Sequence, residues 1–239
     1  MKTTLVIAHR GDSSIALENS IESIRSALFL SVDMVEIDIR LNCDRELYVM
    51  HDNTTGRTAK KNIDIEESTK EKISRIRLKN GESIPMLAAV LNLLSGTCGL
   101  NLEIKSKGAG AVTAEYLISS HYTGDILLSS FKEEEVLAAR RVMPTVKTSL
   151  IFDDFMTREV PAYKAKGYDV ISLSKKTVNE KLINTCHEQG IRVYVWTVDN
   201  EVEMRTLMMW GVDGIYSNRP GALKEIVHST ELRLWNKTI

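Results

Sequence analysis

The residues able to do chemistry cluster at the ends of short apolar stretches. Val6-Ile7-Ala8 stops at His9-Arg10-Gly11, Val35-Glu36-Ile37-Asp38-Ile39 carries two carboxylates, and Leu47-Tyr48-Val49-Met50 stops at His51-Asp52. Asn101-Leu102-Glu103-Ile104-Lys105 repeats the pattern with an acid and a base, and Arg192–Thr197 brings Trp196. In a strand, alternate side chains face one side, so Glu36 pairs with Asp38 and Glu103 with Lys105. Three carboxylates at one place repel unless a cation joins them, and oxygen-only ligands suit Mg²⁺ or Ca²⁺ rather than zinc. Two histidines titrate near neutral pH, as a proton acceptor and a proton donor must. Arg10 offers a planar fork matched to two phosphate oxygens, and Lys105 a second cation. Together these groups suit phosphodiester cleavage: metal on Glu36, Asp38 and Glu103, His9 and His51 moving protons, and Arg10, Lys105 and Trp196 holding substrate.

Strands must bring these groups to one place. Eight apolar segments read as parallel strands, near 4–8, 34–38, 100–104, 126–129, 147–151, 169–173, 192–197 and 214–217. Helices are expected near 19–31, 109–120, 132–142, 157–166, 178–189, 200–210 and 219–228, and Pro85 is read as opening one more. Asn19-Ser20-Ile21-Glu22, Thr177-x-x-Glu180 and Asn200-x-x-Glu203 read as capping signals, with Gly190 and Gly211 as stops. The segment at 46–50 is too close to the preceding strand for a parallel crossover, so it forms a hairpin returning His51 to the level of Asp38. Residues 52–84 turn polar, with one helix candidate near 66–76, and read as an inserted excursion over the mouth without an independent core. The rhythm predicts a TIM (β/α)8 barrel spanning 1–239 as a single domain with a small insertion after the second histidine. A dinucleotide-binding sheet is disfavoured, since no GxGxxG follows the first strand. In the tail, Leu232, Leu234 and Trp235 are expected to dock beneath the barrel, with a homodimer contact as the alternative.

Composition narrows the function classes. The chain has 239 residues, 43% of them hydrophobic, and a net charge of −1, which gives no electrostatic reason for nucleic acid or an anionic membrane. Cys43, Cys98 and Cys186 are scattered without a CxxC pair, which argues against a disulfide framework and a structural zinc. Met1–Leu5 runs directly into a strand, and no apolar run reaches the roughly 18 residues of a membrane span. The expectation is a soluble cytoplasmic protein without membrane insertion.

The set of motifs resembles the glycerophosphodiester phosphodiesterase family. The likeness covers nearly the whole chain: His9-Arg10-Gly11, Glu18-Asn19, Glu36-x-Asp38, His51-Asp52, Glu103-Ile104-Lys105, Ser130-Phe131, Trp196-Thr197-Val198 and Gly214-Ile215-Tyr216-Ser217-Asn218-Arg219-Pro220. The resemblance implies the same barrel and insertion, a divalent metal on Glu36, Asp38 and Glu103, and His9 and His51 as the acid–base pair. It also implies hydrolysis of a small-molecule glycerophosphodiester to glycerol 3-phosphate and an alcohol. Leu17 and Ser20 stand where the family usually has proline and threonine, which bears on the first loop and substrate fit. Asp52 is expected either to orient His51 or to start the loop after it. Two rivals remain: a lyase-type phosphodiesterase releasing a cyclic phosphate, and a non-catalytic phospho-ligand barrel, which would not need two proton-transfer groups.

Overall fold

The computed structural model describes residues 4–235, with side chains described for 4–230. Its strands are β1 Leu5–His9, β2 Met34–Leu41, β3 Leu47–Val49, β4 Gly99–Ile104, β5 Ile126–Ser130, β6 Lys147–Phe152, β7 Val170–Ser174, β8 Arg192–Trp196 and β9 Gly214–Ser217. All except β3 pair in parallel in the order β1-β9-β8-β7-β6-β5-β4-β2, and a β1–β2 pairing closes the ring. This is the expected eight-stranded barrel. Alternation builds its two faces. Val6 and Ala8, Val35, Ile37 and Ile39, and Leu100, Leu102 and Ile104 pack into the outer core under the helices. The intervening positions turn inward, where Ile7, Met34, Leu127, Val170, Tyr194 and Tyr216 form a smaller apolar plug.

The helices are α1 Ile21–Phe29, α2 Lys70–Ser74, α3 Leu87–Leu94, α4 Ala109–Ser119, α5 Glu133–Val142, α6 Val160–Ala165, α7 Glu180–Glu188, α8 Glu201–Met209 and α9 Pro220–Trp235, with a 3-10 turn at Thr157–Glu159. Gly190 and Gly211 follow α7 and α8 with positive φ, as stop positions require. Three capping expectations need correction. The cap of α1 is Ser20, whose hydroxyl accepts from the Ser23 N–H, while Asn19 is left-handed at φ 57° and released for another task. The cap of α7 is Asn179 rather than Thr177, whose hydroxyl donates instead to the Ser174 carbonyl. Pro85 lies just outside α3, which is capped at Met86. Asn200 does cap α8, accepting from the Val202 and Glu203 N–H groups.

The hairpin occupies an edge of β2 that β1 leaves free. β1 pairs with β2 only as far as Glu36, and β3 takes over antiparallel from Ile39 to Leu41. The Met50 N–H then donates to the Asp38 carbonyl at 3.0 Å, setting His51 beside the mouth. The polar excursion holds more core than its composition suggests. Ala59, Ile65, Ile73, Ile76, Leu78 and Ile84 bury together with Tyr48 and Met50 from the hairpin, forming a satellite core shared with the barrel. Leu17 packs against this cluster, and Ser20 keeps its cap, so both departures in the first loop have structural work. Among the described residues no helix is long and apolar enough to cross a membrane. The side chains of Leu232, Leu234 and Trp235 lie outside the described set.

Candidate active site

The barrel registers the three carboxylates. Asp38 lies opposite Glu103 on β4, and Glu36 lies opposite Asn101 on β4 and His9 on β1. All three acids are buried, and one ligand oxygen from each falls within 4.8 Å of the others. Their neighbours differentiate them. Burial, and then the Asp38 charge, push the Glu36 carboxyl up to about 8. Burial and Asp38 likewise push Glu103 up to about 7, against the pull of Lys105. Burial would raise Asp38 too, but Lys105 and Arg10 beside it bring that carboxyl down to about 2. Lys105 Nζ stands 3.2 Å from Asp38 Oδ1 and contacts Glu103 Oε1, while Arg10 Nε stands 3.2 Å from Asp38 Oδ2. Glu36 Oε1 is nevertheless buried without a hydrogen-bond partner, whereas Asp38 Oδ1 has the Lys105 ammonium beside it. Unspent carboxylate lone pairs facing one point are what a hard divalent cation requires, so the donor set fits Mg²⁺ or Ca²⁺.

Arg10 is aimed by its own backbone. Arg10 at φ 59° and Gly11 at φ 79° make a left-handed turn, and a Cβ on Gly11 would fall 2.5 Å from Ser23 Oγ. The turn directs the Arg10 N–H to Glu36 Oε2 at 2.8 Å, and its guanidinium reaches Glu18 Oε1 at 2.9 Å. Asn19, freed from capping, donates to Asp38 Oδ2 at 2.7 Å.

The two histidines are held differently. His9 Nδ1 meets Asn218 Oδ1 at 2.7 Å, and its Nε2 stands 4.0 Å from Glu36 Oε2. Burial and Arg10 hold its pKa below the ordinary value. His51 Nδ1 meets Asp52 Oδ1 at 2.6 Å, so Asp52 does orient it. Burial lowers the His51 pKa as well, although Asp38 and Asp52 pull it upward. The hydrogen bond from Arg57 holds the Asp52 carboxyl at about 2. The His51 backbone is fixed too, its carbonyl accepting from Arg40 Nε at 2.9 Å and another Arg40 nitrogen at 2.6 Å.

His9, Arg10, Glu36, His51, Glu103, Lys105 and Trp196 line one cavity of about 140 Å³. Asp38 is fully buried and joins from the wall, its oxygens covered by Arg10, Lys105 and Asn19. Every residue expected from the sequence is therefore gathered at one mouth. Phe131 lies edge-on to Trp196 at 5.5 Å, making one wall apolar.

Several partners escaped sequence reasoning. Arg57 and Glu66, on the insertion, hold Asp52 and Arg40, and no periodicity marks them. Asn218 and Asp199 follow the last two strands. Arg40 had a signal, since it continues the period-two series Glu36, Asp38. Asn19 had one also: Asn19 and Ser20 are adjacent candidate caps, and only one can cap α1.

The sequence model of one family, described as the glycerophosphoryl diester phosphodiesterase family, matches residues 9–222. A glycerophosphodiester phosphodiesterase of Caldanaerobacter subterraneus subsp. tengcongensis is 30% identical, the match covering 94% of this chain and 98% of that protein. A solved glycerophosphodiester phosphodiesterase from Parabacteroides distasonis superposes with a TM-score of 0.85 at 25% identity, covering 97% of this chain and all of that one. An Oleispira antarctica phosphodiesterase, solved with the product sn-glycerol-3-phosphate, gives 0.88 at 22% identity over 95% of this chain and 97% of that one.

Proposed function

This chain belongs to the glycerophosphoryl diester phosphodiesterase family, and from that premise we propose that its mouth hydrolyses a small-molecule glycerophosphodiester to glycerol 3-phosphate and an alcohol. The observation that carries the reading is the meeting of three buried carboxylates, Glu36 with an unpartnered oxygen, with two imidazoles and two cations around one cavity. Glu36, Asp38 and Glu103 would hold Mg²⁺ or Ca²⁺, which supplies Lewis-acid charge to a non-bridging phosphate oxygen when bound. Arg10 and Lys105 orient the phosphate, Arg10 by a planar fork and Lys105 by a point charge. Trp196 and Phe131 offer an apolar wall to substrate carbon.

The proton carriers divide by their partners. The Asp52 carboxylate on Nδ1 works against the burial that lowers the His51 pKa and steadies the ring when it is protonated, so His51 gives its proton to the departing alkoxide oxygen. His9 is held neutral by burial and by the Arg10 charge, which outweigh the Asn218 hydrogen bond at Nδ1, and a neutral ring suits a base. His9 takes the proton of the attacking water as the new P–O bond forms and the P–O bond to the alcohol breaks. Solvent exchange then restores both rings. The Oleispira phosphodiesterase shares the fold and holds sn-glycerol-3-phosphate as product, which supports the same product class here. Three free thiols suit a reducing compartment, so we take the enzyme as cytoplasmic.

The test is a panel of glycerophosphodiesters with Mg²⁺, with Ca²⁺ and with chelator, followed by phosphorus NMR. Glycerol 3-phosphate as the single phosphorus product, formed only with metal, is the expected result. No turnover with any member and either metal would favour a binding barrel.

A further inference from the structure

A hydrogen-bonded chain runs from His9 through Asn218 to Asp199. Asn218 Oδ1 lies 2.7 Å from His9 Nδ1, and Asn218 Nδ2 lies 2.7 Å from Asp199 Oδ2. The Asp199 carboxylate is itself pinned. Its Oδ1 accepts the Asn218 backbone N–H at 2.8 Å and the Ser217 hydroxyl at 3.1 Å. The Ser13 hydroxyl stands 2.9 Å from Asn218 Oδ1 and 3.0 Å from the His9 carbonyl.

We propose that Asp199 and Asn218 are positioning residues that fix His9 as its Nδ1–H tautomer and so keep Nε2 unprotonated toward the cavity. An ionised carboxylate only accepts, so the side of Asn218 facing Asp199 must be its NH₂ group. Turning the amide over would set its oxygen against a carboxylate oxygen at hydrogen-bond distance. The amide oxygen therefore faces His9, and an oxygen at 2.7 Å from Nδ1 requires a proton on that nitrogen. In the neutral ring the lone pair then sits on Nε2, the nitrogen on the Glu36 side. If Asn218 were free to turn, its NH₂ could donate to Nδ1 and place the ring proton on Nε2, where it would block proton abstraction. The inference deepens the hydrolase reading and rests on it for the role of Nε2, but the tautomer itself does not depend on turnover.

The test uses the full-length chain with Mg²⁺ present and ¹⁵N-labelled histidine, at mildly alkaline pH so that the ring is neutral. The His9 resonances are assigned by their loss in His9→Ala. The wild type should show a protonated Nδ1 and a free Nε2. Asp199→Ala, which removes the lock without touching the ring, should shift the population toward Nε2–H. It should also lower kcat on the order of ten- to hundredfold, with KM held within a small factor. Asn218→Ala should do the same, and Asp199→Asn, which keeps an accepting oxygen, should recover part of both readouts. Ser13→Ala retains the lock and keeps the Nδ1–H form. An Nε2–H wild type, or an unchanged tautomer in both Asp199→Ala and Asn218→Ala, overturns the proposal. Wild-type turnover in His9→Ala would overturn the hydrolase roles while leaving the tautomer result standing, so the two failures are separable.

Discussion

At the scale of the residue, the site rests on side chains with divided tasks, and the divisions can be measured. Replacing His9 or His51 by Ala should each lower kcat by about 10²–10⁴-fold. The double variant should lose far less than the product, because each proton transfer needs the other. Steady-state kinetics with circular dichroism as a fold control decides this, and near-normal turnover in either single variant would refute the assignment. Glu103 and Lys105 touch each other, yet they should separate. Glu103→Gln removes a ligand charge and should weaken Mg²⁺ binding in titration calorimetry. Lys105→Met should keep most of that affinity while raising KM for the diester. Equal loss of metal in both would merge the two roles. The acids and histidines were legible because strand alternation places Glu36 with Asp38 and Glu103 with Lys105. Asp52 was legible as a partner of His51 by adjacency, but the partner of His9 was not: Asn218 lies 209 residues from it in sequence, and a lone Asn carries no period.

At the scale of the element, the insertion does more than overhang the mouth. Arg57 ties Asp52 Oδ2 at 2.7 Å to both oxygens of Glu18, at 2.5 and 2.8 Å, and Glu18 holds Arg10. An alternating chain of charges thus runs from His51 to Arg10 across the first loop and the insertion. Glu66 adds a second latch by accepting from Arg40 at 2.5 Å and Ser106 at 2.8 Å. Arg57 is half-exposed, so its ion pairs add little to stability. Arg57→Ala should leave the melting temperature nearly unchanged, lower kcat through a loosened Asp52–His51 pair, and shift the pH–rate profile. A variant that melts much earlier with normal kcat would make Arg57 a structural residue instead. Ile65→Ala, in the satellite core, should act the other way and cost about 2–5 kcal/mol of stability, seen in denaturant unfolding. That core was hidden in the sequence because its apolar residues are spaced irregularly through polar loops, and Tyr48 and Met50 complete it from the hairpin.

At the scale of the whole molecule, closure of the barrel forces charge into its interior, and pH should reveal it. Glu36 and Glu103 have raised pKa values, about 8 and about 7, in the protein without bound cation. A carboxyl raised on folding stabilises most below its unfolded value and loses that contribution as pH rises through its folded value. Without metal the melting temperature should therefore fall as pH climbs from the ordinary carboxylate range to about 7 and about 8, and level off above. Asp38, lowered to about 2, has the opposite sign, and its contribution is lost only as pH falls toward that value. Cation binding displaces protons from the same oxygens, so the thermal shift produced by Mg²⁺ should grow with pH over that window. A metal-induced shift that is flat with pH would contradict this. The barrel itself was legible from eight apolar runs alternating with helical stripes, since that rhythm leaves few other topologies. The hairpin was legible from loop length alone.

The most direct measurement is hydrolysis of a glycerophosphodiester in ¹⁸O-labelled water, followed by phosphorus NMR and mass spectrometry of both products. Water attack at phosphorus, assisted by His9 and completed by His51, predicts one ¹⁸O on the phosphate of glycerol 3-phosphate, none in the alcohol, and no turnover after chelation. A cyclic phosphate product, label in the alcohol, or full activity in the chelated enzyme would contradict the account.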